Sequence, residues 1–161
     1  MSFVIRTGQK KDAQAILNLI IELAVFEKEP NAVEITVDDI INDGFSDNPK
    51  FKTFVAEEVD GTIIGMTLFY ERYSTWKGKT IHLEDLMVTE LKRGIGAGKK
   101  LYRSVMSYAQ EHGFKRVAWE VLDWNVNAID FYKKTGATVY KEWRVCQMNE
   151  QNLTQFCNEN I

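Results

Sequence analysis

A chain of 161 residues, 45% apolar and 27% charged, has the balance of one folded domain around a single core and excludes a disordered polymer. Its net charge of −3 supplies no basic field for nucleic-acid phosphates, so nucleic acid is not an expected partner. No stretch approaches the roughly 18 apolar residues of a membrane span and the start lacks a signal-peptide core, which predicts a cytoplasmic protein with no membrane partner.

Residues 3–7 read as a short strand, after which Ala13, Ile16, Leu17, Ile20, Leu23 and Ala24 recur at helical spacing. Pro30 and Asn31 break that helix, and residues 37–44 form a second, short one ending on Gly44. The period then changes. Segments 51–57, 62–73 and 80–89 are rich in β-branched and aromatic residues, with the turn pair Asp60-Gly61 between the first two, and predict three consecutive antiparallel strands. Helical period returns over 98–112 with Leu101, Val105, Tyr108 and Ala109 inward and Gly113 closing the element. A strand over 116–121 follows. Asn125 caps a further helix through Ala128, Ile129 and Tyr132 to Gly136, one or two strands occupy 138–148, and a short helix ends the chain. The strand, helix, strand unit 80–121 calls for a parallel crossover. The order therefore predicts one α/β domain over 1–161, with a mixed, mostly antiparallel sheet and helices on both faces. Cys146, Cys157, His82 and His112 stand in no metal-ligand spacing, so no metal site and reduced thiols are expected.

The most informative stretch is Arg93-Gly94-Ile95-Gly96-Ala97-Gly98, between an apolar strand and an amphipathic helix. Glycines let the backbone approach a ligand and take positive φ, and the free N–H groups of a helix's first turn attract anions. A diphosphate fits. A dinucleotide fingerprint would need glycine at Lys99, and a P-loop would need Ser or Thr at Lys100, so NAD and nucleoside triphosphates are disfavoured. Three alternating glycines would each cost about 0.5–1 kcal/mol in helical conformation, a cost that a ligand would offset.

This stretch resembles the Arg/Gln-x-x-Gly-x-Gly/Ala motif of the GNAT N-acetyltransferases. Asn125 with Phe131-Tyr132-Lys133-Lys134-Thr135-Gly136-Ala137 is similar to a second segment of that family. Within it, Phe26-Glu27, Asp43-Gly44-Phe45, Tyr73-Ser74-Thr75-Trp76-Lys77-Gly78, Leu83-Glu84-Asp85 and Val121-Leu122-Asp123-Trp124-Asn125 are similar to the diamine acetyltransferases, and most to their thialysine Nε-acetyltransferase branch. The resemblance implies the GNAT fold, acetyl-CoA as co-substrate, a small cationic amine as acceptor and a homodimer. It further implies that residues Arg93, Gly94, Ile95, Gly96, Ala97, Gly98 and Lys99 wrap the pyrophosphate of the cofactor, which Asn125 also contacts. On spacing alone Asn125 remains a helix cap.

Glu84 and Asp85 interrupt an apolar run, Ile81 to Val88, where carboxylates are rare. A solvated strand face explains them, and so does a carboxylate pair in a cleft. The resemblance implies a bulge in this strand and a free N–H among Leu86, Met87 and Val88 that polarises the thioester carbonyl. An alkyl amine with pKa near ~10.4 needs a base at neutral pH, and the resemblance makes Glu84 that base, with Asp85 attracting the cation. Tyr132, inward on its helix, is either a core tyrosine with a satisfied hydroxyl or a functional one on pattern alone; the resemblance makes it the general acid for the departing thiolate. Glu27 continues the buried stripe of the first helix beside Phe26, at a helix end whose dipole disfavours an anion. Trp76 and Trp143 either pack or line an amine site by cation-π contact. At Ser74 the spermidine/spermine branch carries aspartate, which points here to thialysine, lysine-like amines or short diamines. Neither cysteine has an activating base in view, which favours direct attack in a ternary complex. A protein N-terminal acetyltransferase and a non-catalytic acyl-CoA-binding regulator stand as alternatives.

Overall fold

The computed structural model describes residues 2–158; Met1 and 159–161 lie outside the described residues. The chain forms two compact units, meeting in sequence between Glu120 and Val121.

In the first unit, β1 (Phe3–Thr7), α1 (Ala13–Phe26), α2 (Val37–Gly44), β2 (Lys52–Glu58), β3 (Ile63–Ser74), β4 (Gly78–Val88), α3 (Ala97–Glu111) and β5 (Val117–Ala118) follow in order. The five strands lie in the sheet in that same order. β1 to β4 are antiparallel, and β4 pairs with β5 in parallel across the α3 crossover. Alternation along β2 divides the core: Val55 packs with Ala13, Ile16, Leu17, Leu19 and Ile40 from α1 and α2, whereas Ala56 packs with Ala97 and Leu101 of α3. Helices thus cover both faces, as the sequence predicts. The Asp60-Gly61 pair forms the β2–β3 turn, with the Glu58 N–H donating to the Thr62 carbonyl at 2.9 Å. Thr36 caps α2 by accepting from the Asp39 N–H while Asp39 reaches back to the Thr36 N–H, a reciprocal box that fixes where this short helix starts.

Two strand expectations need correction. β5 spans two residues and not 116–121. In the second unit, α4 (Val126–Lys134) and α5 (Glu150–Asn158) form, but residues 138–148 carry no strand. Alternating side chains describe a face, yet a strand also needs a neighbour for its N–H and C=O groups, and the described residues of the second unit offer none.

Candidate active site

β4 is the element from which the site is built. Its register against β3 runs Tyr70↔His82 and Phe69↔Leu83, then shifts, so that Leu68 faces Asp85 and Glu84 is the extra residue. This is a β-bulge, and it changes what the strand can present. Regular alternation sends neighbouring side chains to opposite faces. Here Asp85 shares the face of Leu68, while Glu84 reaches Tyr70 two residues along that same face: the Tyr70 hydroxyl donates to Glu84 Oε2 at 2.8 Å. Two consecutive carboxylates therefore serve one side of the sheet.

Asp85 is the strained member. Burial first, then the negative charges of Glu84 and Glu27, push its carboxyl up to about 6. Shielding also raises the carboxyl of Glu27, the residue that ends α1. Neither carboxylate has a Lys or Arg partner among the described residues, in contrast with Asp12, which Arg6 holds in a two-point pair at 2.6 and 2.9 Å. With Glu84 beside Asp85, these acids form a local excess of negative charge that a ligand ammonium would relieve.

The strand's other edge carries backbone groups of its own. Thr89 N–H donates to Ile64 O at 2.9 Å across the β3–β4 ladder, and backbone groups alternate sides, so Leu86 and Val88 present theirs to the opposite edge. There β5 pairs only with Ile81 and His82, and β4 runs on past it without a strand beside it in this unit. The Val88 carbonyl on that edge accepts from Arg93 Nε at 3.2 Å. Met87 turns its backbone the other way and its side chain into the core.

The glycine turn follows at once. Gly94 and Gly96 have φ of 83° and 87°, and no atom lies within 4 Å of where a Cβ would stand on either. Conformation, then, and open space above the backbone are what these two glycines supply. Gly96 is the N-cap of α3 and offers no side chain to satisfy the first turn, leaving the N–H groups of Ala97, Gly98 and Lys99 directed out of the helix end. Only Gly98 is helical, so the expected cost of three helical glycines reduces to one. The turn is anchored on all sides. Glu22 of α1 accepts from Glu90 N–H at 2.8 Å and Thr89 Oγ1 at 3.1 Å, Lys92 pairs with Glu58 at 2.7 Å, and the Arg93 guanidinium lies 5.0 Å over the Phe26 ring. Phe26 therefore supports the turn. The residues Arg93 to Lys99 fit the diphosphate of acetyl-CoA by this cradle of uncapped N–H groups.

Other predicted site residues stand elsewhere. Ser74 and Trp76 sit at the tip of the β3–β4 hairpin, where Ser74 Oγ accepts from the N–H groups of Trp76 and Lys77 at 3.3 Å each. Glu84 lies six positions along β4 from Gly78, about 20 Å at ~3.3 Å per residue. Ser74 and Trp76 thus lie at the far end of the hairpin from Glu84 of the same chain. In the second unit, Asn125 is the N-cap of α4 and its Oδ1 accepts from Ala128 N–H at 3.3 Å. Tyr132 is buried on that helix, and Trp143 is 74% exposed in the strandless tract. Sequence reasoning missed Tyr70 and His82, which strand register brings to Glu84, and Glu22, which α1 brings to the start of the glycine turn.

The chain is similar to known proteins along most of its length. The family model described as Acetyltransferase (GNAT) family matches residues 15–137. A thialysine N-epsilon-acetyltransferase of Bos taurus is 41% identical over 85% of this chain and 85% of its own length. One from Caenorhabditis elegans is 33% identical over 98% and 99%. Among solved structures, an integron cassette protein from the mobile metagenome of V. cholerae superposes with a TM-score of 0.79 at 24% identity, covering 99% of each chain. That likeness bears on the fold alone.

Proposed function

We propose that this chain, which belongs to the GNAT acetyltransferase family and transfers an acetyl group from acetyl-CoA to an amine, acts on thialysine, a lysine-like amine or a short diamine by direct attack in a ternary complex. The observation that carries the choice of acceptor is the acidic group Glu27, Glu84 and Asp85, in which Asp85 and Glu27 have no Lys or Arg partner among the described residues. A cation on an alkyl stem supplies what the fold omits. The relatives' names agree, since thialysine carries such an amine.

In this reading Asp85 and Glu27 draw the ammonium in, and Glu84 takes its proton. Lowering the amine from pKa ~10.4 to reactivity at neutral pH costs roughly 4 kcal/mol, which a positioned base supplies. Arg93 to Lys99 hold the pyrophosphate through backbone N–H groups. An N–H of Leu86 or Val88 on the open edge of β4 stabilises the oxyanion, and the Met87 N–H is left to the ladder. Tyr132 donates a proton to the departing thiolate. The Asn125 carboxamide, its oxygen committed to the α4 cap, has its NH₂ to offer the cofactor. Cys146 and Cys157 are exposed free thiols with no part in the chemistry, and they suit a reducing cytoplasm.

The reading includes one catalytic domain and a homodimer. The family match crosses the boundary between the two units, which supports a single domain over 1–161. The hairpin tip, with Tyr73 76% and Trp76 79% exposed, extends away from its own Glu84 and is suited to serve a second copy with Ser74 and Trp76. The exposed Tyr140, Trp143, Val145 and Met148 give such a copy apolar surface to cover. The test is initial-rate kinetics with both substrates varied, together with mass spectrometry of the enzyme after acetyl-CoA alone. Intersecting lines and an unmodified protein are expected; parallel lines with an acetylated chain would overturn direct attack.

A further inference from the structure

One group of side chains beside the acidic face has no part in the mechanism so far. Tyr70 and His82 are cross-strand partners on β3 and β4, with rings 5.3 Å apart. His82 is buried. The Tyr70 hydroxyl donates to Glu84 Oε2 at 2.8 Å, and His82 Nε2 lies 3.4 Å from that same oxygen. On its far side, His82 Nδ1 faces Arg72 Nη1 at 3.5 Å. A guanidinium can only donate, so in the neutral ring Nδ1 presents its lone pair to Arg72 and the proton resides on Nε2, toward Glu84. Both groups therefore act on one carboxylate oxygen. Glu84 Oε1 accepts from no described residue, and the Glu84 side chain is half exposed.

We propose that Tyr70 and His82 are the positioning residues of the base: by holding Oε2 they fix the carboxylate plane and leave Oε1 as the oxygen that receives the amine proton. This rests on the reading of Glu84 as base. In the step, one N–H bond of the ammonium breaks, its electron pair stays on nitrogen, and the proton passes to Oε1, directly or across one water. A bulged residue needs such support, because the ladder does not fix its direction. Tyr70 is suited to the role: its hydroxyl is pushed up to about 12, by burial first and then by its bond to Glu84 and that residue's charge. It stays a donor across the working range. Tyr70 is the stronger of the two, its bond being short, whereas the His82 contacts are long and act mainly through charge and orientation. The other charged groups around this network are Arg72 on β3, Asp85 on β4, Glu27 at the end of α1 and Glu120 beyond β5.

The test compares Tyr70→Phe, His82→Leu, His82→Gln, Glu84→Gln and the Tyr70→Phe/Glu84→Gln double variant, each by kcat, KM for both substrates and pH profile. Tyr70→Phe keeps the ring and removes one oxygen. It is expected to lower kcat about tenfold, the effect of one charge-assisted hydrogen bond, to leave KM for acetyl-CoA unchanged, and to recover as rising pH supplies free amine. The double variant is expected to be no slower than Glu84→Gln, because Tyr70 acts through Glu84. His82→Gln, which retains a donor, is expected to keep more activity than His82→Leu. An unchanged kcat for Tyr70→Phe beside a defective Glu84→Gln overturns the positioning role, and so do losses that multiply in the double variant. Equal losses for the two His82 variants overturn the part given to His82. A fully active Glu84→Gln instead overturns the reading of the base beneath it.

Discussion

Asp85→Asn separates stability from function, because the same charge that draws the substrate strains the fold. Its carboxyl is raised from an ordinary 3.8 to about 6, so the folded protein binds its proton more tightly than the unfolded chain does. The ionised form is the penalised one. The penalty is absent below the unfolded value near 3.8 and fully present above about 6, and two pH units correspond to roughly 3 kcal/mol. Asparagine removes the charge with little change of shape. The variant is therefore expected to be more stable than the parent by up to about 3 kcal/mol at pH 8, a rise of about 6–12 °C in Tm for a chain of this length, with the gap closing toward pH 4. Its KM for the amine should rise about ten- to a hundredfold. Thermal melts from pH 4 to 8, with amine kinetics at pH 8, read both effects. Asp12, Asp39 and Glu57 are held below the ordinary carboxylate range by their hydrogen bonds, and the stability they lose in acid is common to both proteins and cancels. A parent more stable than the variant at pH 8, or a gap that does not close in acid, would refute the reasoning.

Tyr132→Phe is expected to lower turnover while acetyl-CoA affinity, measured by calorimetry, stays within about twofold, since one proton donor and little contact area are lost. Glu84→Gln should slow the reaction by roughly 10²–10⁴ at neutral pH and recover in part at high pH; a defect equal at every pH would count against a base. Gly96→Ala places a Cβ on a residue at φ 87°, at a cost of about 1–2 kcal/mol, and should weaken acetyl-CoA binding and lower Tm together. Gly98→Ala, whose Cβ would meet Val88 at an ordinary 3.7 Å, should be accepted in both measurements.

What was legible in the sequence was whatever local chemistry decides. The stripe Ala13, Ile16, Leu17 and Ala24 is buried on α1, Val37–Gly44 begins at its Thr36 cap, and Asp60-Gly61 turns the first hairpin. The backbone of the glycine turn was legible because positive φ and an uncapped helix start are written in residue types. Partner-dependent features were not legible. Residues 138–148 alternate well enough for a strand but the described residues of their own unit hold no strand to pair with, and β5 shrinks to Val117–Ala118. Residue type leaves Trp76 open between packing and an amine site, and only strand length shows about 20 Å between the hairpin tip and the bulge. Tyr70 and His82 lie twelve positions apart, and only the register across β3 and β4 makes them one group with Glu84.

The most direct test of the central claim is a panel of amines with acetyl-CoA, followed by thiol release and reported as kcat/KM. The account predicts turnover of cationic alkyl amines, with thialysine above spermidine and spermine, and little activity on N-terminal peptides. Thiol release driven by peptides, or a clear preference for spermidine over thialysine, would contradict it.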